Sequence, residues 1–247
     1  MSKTARLKNL KIHIGCSSFN TKDWSGIFYP EELPRSKWFD FYAENFRTYE
    51  LNATFYKFPT VRTLNNWYKK TPEDFLFSVK APKIITHLKK FEDCKTEIDS
   101  FYEIASEGLK EQLKCILFQL PPSFSYTEER LESIVNQLDK NYRNVVEFRN
   151  ETWWNPKVFE TFKTNNITFC SPNYPKLPTE IIETNSVGYL RFHGNPKLFY
   201  SEYSSEELQE LWNQIKQKNF DEVYIYFNNT ASSAGIINAV EMKKIIS

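Results

Sequence analysis

Glycine is scarce in this chain, six residues in 247, and none of them forms a G-x-G-x-x-G turn after the first apolar segment. The fingerprint of a doubly wound dinucleotide fold is therefore missing. Also absent are the Walker-type G-x-x-x-x-G-K-[ST], H-E-x-x-H, G-x-S-x-G and zinc-ribbon cysteine spacing, so the familiar short motifs are all missing. The four cysteines, Cys16, Cys94, Cys115 and Cys170, are widely separated and show no C-x-x-C pair. With no secretory signal at the start of the chain, they are expected to be reduced thiols. No run of about 18 apolar residues occurs, so no transmembrane helix and no membrane partner are expected, and the sequence predicts a cytoplasmic protein. The N-x-T matches at Asn52, Asn150 and Asn228 are then chance. Charge of one sign is lacking too: 32 Lys and Arg against 31 Asp and Glu leave a net charge of +1. Such a balance gives no global field for nucleic acid or an anionic membrane, and any anion binding must be local.

What the chain has in quantity is aromatic side chains, 21 Phe, 14 Tyr and 6 Trp, within a composition that is 40% apolar and ample for a core. Short β-rich segments recur at 11–17, 48–55, 75–81, 115–120, 144–149, 168–171, 188–193 and 222–227. Between them, 127–140 and 204–218 show the 3.6-residue apolar spacing of helices, and Ser204 with Glu207 has capping-box spacing. Further helices fit 35–44, 61–70, 97–110, 156–164 and 233–246. The connection at 172–185 is short and proline-rich and makes the weakest case for a helix. About eight alternations without a Gly/Ser linker predict a single domain, 1–247, folded as an α/β protein of the (β/α) barrel type, with about eight parallel strands and surrounding helices.

Alternate residues of these strands separate into an apolar and a polar set. Phe77, Val79, Phe118, Phe148, Phe192 and Phe227 belong to the apolar set. Glu50, Asn52, Ser78, Lys80, Gln119, Glu147, Arg149, Arg191, His193, Tyr224, Tyr226 and Asn228 belong to the other. A barrel interior is ordinarily filled by Val, Ile and Leu, and burying an unpaired charge costs several kcal/mol. These groups must therefore pair with one another or meet a ligand. Lys80, Arg149 and Arg191 outnumber Glu50 and Glu147, which points to a phosphate or carboxylate ligand held by the bases. Glu50 or Glu147 is placed to act as general base and His193 or Tyr226 as acid. Asp23, Trp24, Tyr56, His87, Trp153 and Asn229, on the segments following the strands, complete a binding mouth.

Alternatives stand beside this reading. The charges can form a purely structural network. The basic run Lys80, Lys83, Lys89 and Lys90 with its aromatic neighbours would suit a nucleic-acid-binding or nucleic-acid-processing barrel, and a non-catalytic ligand sensor needs the same mouth. His87 and His193 with Glu50 and Glu147 are possible ligands for a divalent metal, but the neighbouring bases would repel a cation. The sequence leaves the cofactor and the oligomeric state unknown, with a bound divalent metal not favoured. His13, early in the first strand, reads as structural, and Cys16 and Cys170 as buried small residues rather than nucleophiles.

Seven blocks in order, IGCSSFNTKDWSGIFYP, ELNATFYKFP, FLFSVKAPKIITH, ILFQLPPSF, VEFRNETWW, LRFHG and VYIYFNNT, resemble the YecE-like family, domain of unknown function 72, from about Ile12 to Ala239. The resemblance implies a TIM-type barrel but no reaction. It also implies a characteristic surface of Asp23, Trp24, Glu50, Asn52, Thr54, Phe55, Tyr56, Lys80, His87, Gln119, Glu147, Arg149, Trp153, Arg191, His193, Gly194, Asn228 and Asn229. Two positions depart from the family pattern: Asn150 stands where similar chains have His, and the SPNYP block at 171–175 lacks an acidic residue.

Overall fold

The computed structural model describes residues 9–247; the first eight residues of the expected 1–247 domain lie outside the described residues. In chain order the elements are β1 (Lys11–Cys16), α1 (Trp38–Asn45), β2 (Thr48–Leu51), α2 (Ala53–Tyr56), α3 (Val61–Tyr68), β3 (Leu76–Lys80), α4 (Lys95–Leu109), β4 (Leu113–Gln119), α5 (Glu128–Gln137), β5 (Asn144–Glu147), α6 (Pro156–Thr164), β6 (Thr168–Phe169), β7 (Ser171–Asn173), β8 (Val187–Phe192), α7 (Ser205–Ile215), β9 (Glu222–Phe227) and α8 (Ala234–Ile246). Strand hydrogen bonding gives two sheets, of order β1-β9-β8-β7 and β2-β3-β4-β5-β6, rather than the single closed ladder that the barrel expectation entails. The pairs β1/β9, β9/β8, β8/β7, β3/β4, β4/β5 and β5/β6 are all parallel. The chain divides into two compact units, the described residues up to Tyr49 with Ser171–Ser247, and Glu50–Cys170.

The expected strand at 168–171 is two short strands. Cys170 still donates its N–H to the Val146 carbonyl beside β5, whereas Ser171 is already in register with Leu190 of β8. Pro172 in β7 has no N–H to donate, which suits its place at the edge of the four-stranded sheet. Residues 174–186 contain no helix. Pro175 and Pro178 there remove two backbone donors and fix φ, so the weak helical case from sequence resolves as loop. Several strands also end earlier than expected: β2 stops at Leu51, with 53–56 forming a helical turn instead, β5 stops at Glu147 and β8 at Phe192, which places Asn52, Arg149 and His193 just beyond the carboxyl ends.

Helix starts follow local chemistry. Thr60 and Thr127 accept from the N–H groups of Thr63 and Arg130, and Asn155 accepts from Lys157 and Val158 ahead of Pro156. Ser204 and Glu207 form the reciprocal box anticipated from their spacing. Each such cap stabilises by about 1 kcal/mol.

In the first unit the core is built on rings. Tyr29 stacks on Trp38 at 4.6 Å and Tyr42 on Phe46 at 5.1 Å. Tyr42 ties the strands in place, its hydroxyl receiving the Cys16 N–H and donating to the Thr48 carbonyl. Gly15 permits this approach, because a Cβ there would stand 2.4 Å from the Thr48 carbonyl oxygen. The second unit is held by Phe75, Phe77, Val79, Phe118, Val146, Phe148 and Phe169, all fully buried. Burial of each such side chain contributes about 1.5–3 kcal/mol.

Candidate functional site

Within Glu50–Cys170, the polar set of the strands collects at the carboxyl ends of β2 to β5. Lys80 ends β3 and donates from Nζ to Gln119 Oε1 at 2.9 Å, while Gln119 Nε2 is spent on the Leu120 carbonyl. Gln119, the last residue of β4, is in register with Glu147, the last of β5. Glu147 is fully buried and ion-paired with Nε of Arg149, whose side chain is 8% exposed. Cys170 lies beside the other carboxylate oxygen at 3.9 Å. Glu50 is fully buried on β2 and accepts from Asn52 Nδ2 at 3.2 Å. Charge is thus concentrated where dehydration makes each pair stronger and each unmatched charge more costly.

His87 joins the same group. It sits in a π-helical turn, Ile84–Leu88, closed by the Lys89 N–H on the Ile84 carbonyl. After this turn Lys90, Phe91 and Asp93 adopt left-handed φ of 52°, 62° and 44°. Such residues cost of order 1–3 kcal/mol each and persist only where the surroundings hold them. Here the anchor is Phe91, whose ring is buried and whose carbonyl accepts from Ser133 Oγ and Gln137 Nε2. The result is that the half-buried His87 ring lies edge-on to Phe55 at 4.8 Å, and the same Phe55 ring carries the Lys80 ammonium 4.0 Å from its centroid. Burial pushes the His87 imidazole down to about 4, and the positive charges of Lys80, Arg149 and Lys90 push it the same way. At neutral pH this histidine is an uncharged group in a positive field.

In the other unit the polar residues of β1, β9 and β8 stack in register. His13 and Tyr189 flank Tyr224, and Gly15 and Arg191 flank Tyr226. His13 bonds Glu222 at 2.9 Å and stacks on Tyr224, so it is structural as the sequence suggested. Tyr226 is fully buried, its hydroxyl 2.5 Å from Thr48 Oγ1. Arg191 is 2% exposed and His193 fully buried. His193 Nδ1 is 3.1 Å from Asn228 Oδ1, and Asn228 Nδ2 donates to Ser17 Oγ at 2.5 Å. Ser17 and Asn228 thus hold the His193 ring through its Nδ1. Gly194, at φ +85°, turns the chain away immediately after it.

Two expected mouth residues lie elsewhere. Trp24 and Trp153 are fully buried, and their indole N–H groups donate to the carbonyls of Ser232 and Phe124. Trp153 also stacks on Phe148 at 3.9 Å. Both are core residues, and no ligand reaches a fully buried ring without opening the fold. Asp23 is exposed on a short 3₁₀ turn, and Asn229 is buried, donating to Ser201 and Asn238. Tyr56 is 76% exposed. Asn150, at one of the departures from the family pattern, caps the turn at 151–153 through Thr152 and donates to the Pro122 carbonyl. Sequence reasoning gave no role to Thr48, Ser17 or Phe91, because each works through a contact distant in sequence.

A cavity of about 490 Å³ is lined by residues of β7, β8 and α7 and by none of the candidate residues. Its charged lining is Glu206, Glu207 and Glu210, which would repel an anion. Among the described residues no group of three or more His, Cys, Asp or Glu is arranged to hold a metal ion, and no helix is long and apolar enough to cross a membrane.

Comparison with known proteins agrees with the blocks in the sequence. The family model described as "Protein of unknown function DUF72" matches residues 13–247. The UPF0759 protein YunF of Bacillus subtilis is 26% identical, with 95% of this chain and 94% of that protein covered. Among solved structures, a DUF72 family protein of Thermotoga maritima, TM1631, is 32% identical with a TM-score of 0.86, covering 96% of this chain and 99% of the other. A DUF72 family protein of Enterococcus faecalis, EF0366, at 20% identity and a TM-score of 0.81, covers 95% of each and shares the fold.

Proposed function

The chain belongs to the DUF72 family, and we propose that it is an enzyme that takes a phosphorylated or otherwise anionic small molecule at the carboxyl ends of β2 to β5. The observation that carries this reading is that one Phe55 ring carries both the Lys80 ammonium and the His87 ring, with Gln119, Glu147 and Arg149 linked to Lys80 at the ends of β4 and β5. A dianion there adds a charged partner beside the Gln119 and Glu147 contacts of Lys80 and Arg149 and turns the field around His87 from unfavourable to favourable for a proton. Arg149 holds Glu147 in place, and Glu147 or Glu50 handles a proton of the substrate. Lys80, held by Gln119 and by the face of Phe55, meets the anion directly. The barrel reading of the strand series is part of this proposal; what supports it is the alternation of strands with helices and the polar set on alternate strand residues.

The test is a thermal-shift and calorimetric screen of the whole protein against inorganic phosphate, phosphate monoesters and sugar acids, repeated with Lys80→Met. A ligand that binds only the native state at a hundredfold excess over its dissociation constant adds about 2.7 kcal/mol of stability. A shift that Lys80→Met abolishes supports the anion site. If no anion moves the wild type, the charged cluster is structural and the proposal falls.

A further inference from the structure

The charged cluster, with Glu50 and Glu147 beside Lys80 and Arg149, has an apolar side that anion binding alone does not use. Tyr56 is 76% exposed and Leu88 65% exposed, and both are large apolar residues attached directly to site residues. Tyr56 follows Phe55 in α2 and meets its ring edge-on at 5.2 Å; Leu88 follows His87 in the π-helical turn. The Phe55 ring is the shared neighbour, touching Tyr56, His87 and the Lys80 ammonium. Isolated exposed apolar residues are ordinary, but here two of the few exposed large hydrophobics among the described residues adjoin Phe55 and His87 in the chain. An exposed tyrosine offers a flat face to another ring, and base or aryl stacking on such a face contributes about 1–3 kcal/mol. Its hydroxyl also keeps the residue soluble when the site is empty.

Resting on the anion-binding reading above, we infer that the ligand of this site is a phosphate monoester carrying a planar aromatic ring, the phosphate held by Lys80 and Arg149 and the ring stacked on Tyr56 beside Leu88. The phosphate meets Lys80 and Arg149 beside their contacts with Gln119 and Glu147, and the ring covers the exposed apolar face. A plain sugar phosphate would satisfy the first and leave Tyr56 and Leu88 in water. A nucleic-acid strand would instead need phosphate contacts spread along a groove, and it would show a steep salt dependence.

The decisive measurement is calorimetric titration of the whole protein with inorganic phosphate, glycerol 3-phosphate, phenyl phosphate, adenosine 5′-monophosphate and a short single-stranded oligonucleotide, at two salt concentrations. The aromatic phosphates are expected to bind about tenfold or more tightly than inorganic phosphate and glycerol 3-phosphate, as one stacked ring implies. Tyr56→Ala is expected to bring that ratio close to one and Tyr56→Trp to restore it. Because Tyr56 is exposed, neither substitution endangers the fold. Equal binding of all the monoesters would overturn the ring assignment while leaving the anion site standing. Binding of none would remove the anion site itself. Salt-steep binding of the oligonucleotide with no response to the mononucleotide would overturn the inference in favour of a strand-binding surface.

Discussion

The ammonium of Lys80 is held between a hydrogen bond to the Gln119 carbonyl oxygen, 2.9 Å away, and the face of Phe55, 4.0 Å from the ring centroid. A lysine fixed at both its polar and its apolar side has already lost much of the rotamer freedom that anion binding would otherwise take from it. Lys80→Met keeps the stem and its contact with Phe55 and removes the charge together with the donor to Gln119 Oε1. It is expected to weaken phosphate binding by roughly 10- to 100-fold, the loss of one charge-assisted hydrogen bond, and to lower stability by no more than about 1–3 kcal/mol, the cost of one unmatched buried acceptor. Titration calorimetry with parallel urea melts separates the two effects.

Arg149→Ala should behave differently. It takes the guanidinium from a fully buried Glu147, and breaking a buried pair from one side costs about 3–5 kcal/mol. The double substitution Arg149→Met with Glu147→Leu is expected to recover most of that loss, since it removes both charges. If chemical denaturation shows the double variant no more stable than Arg149→Ala, the pair does not account for the stability of that region.

His87 gives the pH dependence. Its folded value lies near 4 against an ordinary 6.5, so between these the unfolded chain binds the proton and the native protein does not. Stability contributed by this group is complete above pH 6.5 and is lost as pH falls towards 4. The expectation is a decline in melting temperature over that window that His87→Gln reduces. Phosphate should raise the His87 midpoint, observed as a shift of its ring resonances in NMR titration. A midpoint unmoved by saturating phosphate would place the anion away from His87.

Asn228→Ala removes the partner of His193 Nδ1 and leaves Ser17 without its amide partner. Stability should fall by roughly 1 kcal/mol for the lost hydrogen bond. The more specific expectation is a change from one imidazole tautomer to a mixture, read from the ring nitrogen shifts. A single unchanged tautomer would mean that another contact fixes the ring.

Trp153→Ala is expected to cost about 3–5 kcal/mol, as for other buried large-to-small changes, and Trp153→Phe much less. That prediction also marks how far the sequence could be read. The strand positions and most helices were legible, because apolar periodicity and caps such as Thr127 and Ser204 act locally. Glu50, Lys80, Gln119 and Glu147 were legible for the same reason, each alternating with apolar residues at the end of its strand. Trp24 and Trp153 were not, since a tryptophan after a strand has the same spelling whether its ring faces solvent or packs on Phe148. Nor was the division at Cys170, which depends on which neighbour each residue meets. The left-handed Lys90, Phe91 and Asp93 are set by the burial of Phe91 against Phe118, a contact 27 residues apart in the chain.

The helix-free stretch at 174–186 has a consequence for engineering. Lys176, Thr179 and Glu180 are exposed there, and the core-facing Ile181 and Thr184 come only afterwards. Extra residues introduced near 176–180 would disturb no strand register, and doubling a loop costs only about 0.6 kcal/mol. That makes the stretch a practical port for grafting a reporter, an epitope or a circular-permutation break while the charged strand ends remain untouched.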